Sequence, residues 1–325
     1  MEETGRHYII SFPEPIPRDE TLYFIQDQGI AGLILFAEHC VDQAALKSWL
    51  SELKKSVAYP LIVAVDQEGG RVSRFTRQFP MLEAPHYYGT NNLIDQYRDD
   101  LERVCERLSD IGVNLNLVPT VDLFDTEIGH VLDTRTFSAD PEAVIRFARA
   151  TIDVHRRHRL CCCGKHFPGL GQSRGDPHHL PAISDRDEKM FFEVELKPFQ
   201  AIIDYGVDSI MVTHLDIPLV DRRPAVASPK IIGSWLKAEL AFAGPVITDD
   251  LHMAGASAVA EDNSLAGLVF DAGADLLLFG RNLDRTREML SRFHDDWQEG
   301  RFGAERKKDA LERVERLRRR LLDFG

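Results

Sequence analysis

Leu160-Cys161-Cys162-Cys163-Gly164-Lys165-His166-Phe167-Pro168-Gly169-Leu170-Gly171-Gln172-Ser173-Arg174-Gly175-Asp176-Pro177-His178-His179 passes from an apolar segment into a polar, glycine-rich one. An apolar strand that feeds such a loop is how a parallel α/β fold presents chemistry at the carboxyl ends of its strands. From Lys165 onward the loop gathers a lysine, three histidines, an aspartate and three glycines. Its flanks can be read as the scaffold that holds it.

Similar apolar runs recur in both directions. They are His7 to Ser11, Ala31 to Phe36, Pro60 to Val65, Val113 to Val118, Leu160 to Lys165, Ser209 to Thr213, Pro245 to Thr248 and Leu276 to Phe279. Between them lie segments with helix start signals: Asp42 to Lys55, Asp95 to Ile111, Asp140 to His158, Asp187 to Tyr205 and Ser228 to Leu240. Val259 to Ala272 and Leu283 to Trp297 flank the eighth run. Asp140-Pro141 supplies an N-cap with proline at the first helical position. Eight apolar runs alternating with seven helical segments, without a Ser/Pro/Gly-rich linker, predict the α/β class, as one closed (β/α)₈ TIM-type barrel over residues 1–325. The alternative is an open α/β sheet with an extra domain. Leu311, Val314, Leu317 and Leu321 stand at helical spacing within 305–322, predicting a C-terminal helix docked on the barrel.

Composition narrows the partners. A net charge of −13 and a pI near 5.4 oppose general affinity for nucleic acid or an anionic membrane. The basic run Arg316 to Arg320 therefore reads as a solvated helix face. Residues 1–13 lack the basic and hydrophobic regions of a signal peptide, and no run is long enough to span a membrane. A cytoplasmic monomer acting on a small molecule, with no cofactor, is the expectation. Cys40, Cys105, Cys161, Cys162 and Cys163 form no metal spacing and no even disulfide set, and read as small apolar fillers.

Polar and ionisable groups follow four of the predicted strands: Asp66, Lys165-His166, His214 and Asp249-Asp250. Each has a plainer reading, Asp250 as a helix N-cap and His166 as a satisfied core histidine, but together they converge on one rim. A retaining glycosidase needs a carboxylate nucleophile and a second group that protonates the leaving oxygen and then activates water. Asp249 is placed like the first. His178, two residues after Asp176, suits the second, since imidazole titrates near neutral pH and a carboxylate holds its tautomer. Asp249 is expected to be ionised and close to Lys165, Arg74 or Arg135.

Asp66-Gln67-Glu68-Gly69-Gly70-Arg71-Val72 with Arg74, Arg135-Thr136-Phe137 with Asp140-Pro141, Lys165-His166-Phe167-Pro168-Gly169, Asp176-Pro177-His178 and Thr248-Asp249-Asp250-Leu251-His252-Met253 occur in this order. In them the chain resembles glycoside hydrolase family 3, and within it the single-domain bacterial β-N-acetylhexosaminidases of cell-wall recycling. The resemblance implies a (β/α)₈ barrel, Asp249 as the nucleophile, and Asp176 with His178 as the acid/base dyad. It implies Asp66, Arg74, Arg135, Lys165 and His166 as sugar-binding residues; His214, from its strand-end position, completes the candidate substrate-binding set. Family β-glucosidases that are similar in the barrel take an acid/base glutamate from a second domain, for which the sequence after the eighth run leaves no room. The branch usually has histidine, aspartate or asparagine, and serine or threonine where this chain has Leu170, Gln172 and Pro177.

Four alternatives share these residues. Two are a β-glucosidase and a phosphorylase of the same family, the latter because a histidine acid/base does not repel an anionic acceptor. A third is a metal-dependent barrel hydrolase using His166, His178, His179 and Asp249, although the first strand lacks the His-x-His usual for one. The fourth is a non-catalytic sugar-binding barrel. A dinucleotide site at Gly169-Leu170-Gly171 with Gly175 fails on spacing.

Overall fold

The computed structural model describes residues 2–12, 18–124, 130–171, 173–174, 182–253, 264–280 and 282–323. Eight parallel strands carry it: β1 (Tyr8–Ile10), β2 (Gly32–Leu35), β3 (Ile62–Val65), β4 (Leu115–Asn116), β5 (Cys161–Phe167), β6 (Ser209–Val212), β7 (Val246–Thr248) and β8 (Leu277–Phe279). They neighbour one another in chain order, and Tyr8 pairs with Leu277. Ile247 bridges Leu276 in parallel, and Thr248 N–H donates to Leu276 O at 2.9 Å. The sheet thus closes into the expected barrel.

Both faces of the sheet are buried, which is why the strands read as continuous apolar runs rather than alternating ones. Ile9, Ile34, Ile62, Ala64, Leu115, Cys161, Cys163, Met211, Ile247 and Leu278 pack together inside the barrel. Ile10, Leu33, Val63, Cys162, Ile210 and Val246 face the helices. Successive strand residues point to opposite faces, so the three adjacent cysteines divide between the two cores, free and buried.

Eight helices follow their strands: α1 (Arg18–Gln28), α2 (Gln43–Ser56), α3 (Ile94–Ile111), α4 (Pro141–Arg157), α5 (Leu196–Asp204), α6 (Lys230–Glu239), α7 (Leu265–Ala272) and α8 (Leu283–Gln298). Capping side chains fix several starts. Asp42 accepts from Ala45 N–H, Asp140 from Glu142 and Ala143 N–H, and Asn282 from Arg285 N–H.

Three features depart from the expectations. α1 was not anticipated; among its residues Ile25 is fully buried while Leu22 and Phe24 are only partly so, a weak apolar stripe. The helix expected over Asp187 to Tyr205 runs uninterrupted from Glu188 to Asp204 with Asp187 as its N-cap, but widens to π-type winding over Phe191–Glu195 before α5. α6 also has the wider π-type winding. A short parallel pair, Ala182–Ile183 with Leu215–Asp216, stands outside the barrel.

The last helix, α9 (Ala304–Asp323), sends Val314, Leu317 and Leu321 into the inner-barrel core. Its polar side chains reach backbone or acids just ahead of the strands: Arg313 Nη1 to Gly244 O at 3.1 Å, Arg306 to Asp275 at 3.0 Å, and Arg320 to Asp208 at 3.4 Å. α9 therefore seals the amino-terminal end. The basic run is not simply a solvated face, since Arg318 is 3% exposed with its guanidinium 4.7 Å from the Tyr59 ring.

Candidate functional site

The open end is the one where the strands stop. After β3 the chain turns back on itself: Gln67 Oε1 accepts from Arg74 N–H at 2.9 Å and Phe75 N–H at 3.1 Å. Gly69 lies at φ 103°, and a Cβ there would come within 2.3 Å of Glu83 O, so this tight turn needs glycine. Asp66 and Glu68 thereby face Lys165 at the end of β5.

Lys165 Nζ lies 2.7 Å from Asp66 Oδ1 and 2.6 Å from Glu68 Oε1. Arg135 grips Glu68 with two parallel bonds, Nε to Oε2 at 2.8 Å and Nη2 to Oε1 at 2.7 Å. Arg74 Nη2 lies 3.2 Å from Asp66 Oδ2, with its guanidinium 5.6 Å from the Phe36 ring. Burial alone would raise the carboxyl pKa values, but Lys165 and Arg74 hold Asp66 below its usual range, and Arg135 and Lys165 hold Glu68 well below it. Burial disfavours the charged forms of Lys165 and Arg135, yet the same carboxylates raise both pKa values.

His166 joins this network. Arg135 Nη2 is 3.3 Å from its Nε2, and Asp122 Oδ2 is 2.7 Å from its Nδ1. The neighbouring aspartates after β7 divide their work. Asp249 accepts from Asp250 N–H at 2.9 Å and from Thr213 Oγ1 at 3.3 Å. Asp250 instead accepts from His252 N–H at 2.9 Å and Gly280 N–H at 2.8 Å, fastening the end of β7 to that of β8. These bonds strap the two strand ends together, and burial raises the Asp250 pKa. Residues 254–263, which the helix-cap reading concerns, lie outside the described residues.

Asp66, Arg74, Arg135, Lys165, His166 and Asp249 all line one cavity of about 1340 Å³, floored by Ile34, Leu117, Met211 and Leu278. The three cations expected beside Asp249 pair with Asp66 and Glu68. His214 stands behind the rim, 2% exposed, and donates from Nε2 to Asp250 O at 3.1 Å. Asp176 and His178 lie outside the described residues. Among the described residues no group of three or more His, Cys, Asp or Glu side chains could hold a metal ion.

Two residues of the network had been given no role, Glu68 and Asp122. Glu68 stood inside a quoted motif without a partner. Asp122 comes shortly after β4, and an ionisable group following an apolar run, as at the other strand ends, is the signal that marks it.

A closed parallel barrel with paired charges and a free carboxyl-end cavity is the architecture of a barrel enzyme acting on a small polar substrate. Residues 8–317 match the glycosyl hydrolase family 3 N-terminal domain, and the chain belongs to that family, hence to the glycoside hydrolases. It is 29% identical over 287 residues to a β-hexosaminidase of Methylobacillus flagellatus, covering 86% of this chain and 81% of that one. With a β-hexosaminidase of Chromobacterium violaceum it shares 32% over 270 residues, covering 81% and 75%. The solved family 3 β-N-acetylglucosaminidase of Paenibacillus sp. superposes with a TM-score of 0.94 at 25% identity, over 99% of this chain and 62% of that protein's length.

Proposed function

We propose that the protein is a retaining β-N-acetylhexosaminidase that releases N-acetylglucosamine from O-glycosides such as muropeptides. In this reading Asp249 attacks the anomeric carbon, and the leaving oxygen takes a proton from His178, held by Asp176. The glycosyl-Asp249 ester is then hydrolysed by a water that gives its proton back to His178. Asp66, Arg74, Arg135, Lys165 and His166 would hold the sugar hydroxyls, with His214 supporting the rim. The observation that carries the proposal is Asp249 on the same cavity wall as the Asp66–Lys165–Glu68–Arg135 network. Relatives named β-hexosaminidase at about this similarity favour the acetamido sugar. One barrel domain per chain, working as a monomer in the cytoplasm, fits five free cysteines.

The test is hydrolysis of aryl β-N-acetylglucosaminide beside aryl β-glucoside, with and without phosphate. Preference for the first supports the proposal, while phosphate acceleration with a sugar 1-phosphate product replaces it with a phosphorylase. Asp249→Asn should lower kcat by roughly 10³-fold or more, as loss of a covalent nucleophile does. Near-normal hydrolysis by that variant would remove Asp249 from the role.

A further inference from the structure

We propose that Asp122 is the positioning residue of this site, fixing the tautomer of His166 and tying it to the start of the loop that follows β5. The inference deepens the glycosidase reading and rests on it only for the kinetic arm of the test.

Asp122 is 1% exposed and accepts three hydrogen bonds. Oδ2 takes His166 Nδ1 at 2.7 Å and His166 N–H at 3.1 Å, and Oδ1 takes Leu170 N–H at 2.7 Å. An ionised carboxylate only accepts, so the imidazole must carry its proton on Nδ1. From the other side, Arg135 Nη2 lies 3.3 Å from Nε2. A guanidinium only donates, so Nε2 must offer a lone pair. The two neighbours impose the same tautomer independently.

Along this run of contacts Asp122, Glu68 and Asp66 stand against Arg135, Lys165 and Arg74. These six groups match three to three; Asp249 on the same cavity and Glu195 near Asp122 stand outside the run, so the hydrogen-bond directions, not the charge count, fix the tautomer. His166 lines the cavity, and a ligand hydroxyl that donates to Nε2 has to compete with the Arg135 N–H for its one lone pair. Through Leu170 N–H the same carboxylate pins the backbone only a few residues before Asp176 and His178, so one buried side chain sets both a sugar-facing imidazole and the root of the proposed acid/base loop.

The experiment reads the ¹⁵N shifts of His166, assigned by difference with His166→Gln, between pH 6 and 8. Protonated Nδ1 with unprotonated Nε2 is expected in the wild-type protein; a proton on Nε2, alone or in addition, overturns the inference without any Asp122 variant. Asp122→Asn offers one acceptor oxygen where the carboxylate offered two. Turned to the two His166 donors, it sets its NH₂ against Leu170 N–H; turned to Leu170, it sets its NH₂ against the His166 N–H and Nδ1, driving the ring proton to Nε2 against Arg135. With it kcat/KM on the aryl glycoside should fall roughly tenfold to a hundredfold, the usual loss when the partner of a functional imidazole is removed. An inverted tautomer with unchanged kcat/KM ends the positioning role. A purely structural role would lower the melting temperature and leave kcat/KM per folded molecule in place. Wild-type inactivity on acetamido sugars with the Nδ1–H form present would sink the proposed function and leave the tautomer inference standing.

Discussion

Glu68 holds two cations with one carboxylate, at a side-chain exposure of 1%, while Lys165 is equally buried and Arg135 nearly so. Replacing it with glutamine removes the carboxylate from Arg135 and leaves Lys165 with Asp66 alone. Breaking a buried ion pair from one side costs about 3–5 kcal/mol, because the remaining charge has lost its compensation. Glu68→Gln should therefore lower the unfolding free energy obtained from a urea titration by that much, and a change under about 1 kcal/mol would mean that Lys165 and Arg135 are compensated without the Glu68 charge. Asp66, Lys165, His166 and Asp249 were legible in the sequence because polar groups at the ends of apolar runs stand out. Their pairings were not: Arg135 lies 67 residues from Glu68, and His166 lies 44 from Asp122. No local pattern records which of several rim acids a buried cation will choose.

At the scale of an element, the π-type turn before α5 sets Glu195 against the loop that follows β5. Glu195 is 2% exposed, its Oε1 is 2.5 Å from Arg186 Nη1, and a Cβ on Gly169 would come 3.2 Å from its own Cβ. Burial raises its pKa from 4.5 to about 7, opposed by Arg186 and assisted by Asp122. The folded state thus holds this proton more tightly than the unfolded chain. The contribution to stability is full below about pH 4.5 and is lost as pH rises through 7, by about 3 kcal/mol in all. Unfolding by urea at pH 5 and pH 8 should show that loss, and Glu195→Gln should remove most of the difference; an unchanged pH slope in the variant would assign it elsewhere. The wider winding in this helix had a sequence signal in Pro198. A proline inside a helix lacks the N–H to donate back four residues, and the π-type turn over Phe191–Glu195 lies just ahead of it, where that ladder bond is missing.

At the scale of the molecule the two barrel ends have separate duties, ionic network above and hydrophobic plug below. Leu317 is 2% exposed within the inner-barrel core. Leu317→Ala should cost about 2–5 kcal/mol through lost contacts and a residual cavity. The kcat of the folded fraction should not change, because the plug lies at the end opposite Asp249. Thermal melts beside active-site-normalised rates check this, and lost turnover at unchanged stability would contradict the division. Eight apolar runs made the barrel legible. The seat of α9 was only half so: Leu311 was expected in its stripe but is half-buried, while Ala310 and Arg318 are buried. Which side chains fill the foot of a barrel depends on the shape left by other strands, and a helical repeat does not encode that.

Closure through Tyr8 and Leu277 also has a consequence for birth on the ribosome. A nascent chain displays β1 with an unpaired edge until β8 has been translated, and the bore beneath it stays unsealed until α9 emerges. An open strand edge invites foreign pairing. During synthesis the first and last strands are the last barrel neighbours that can meet, so this edge is the one left open longest.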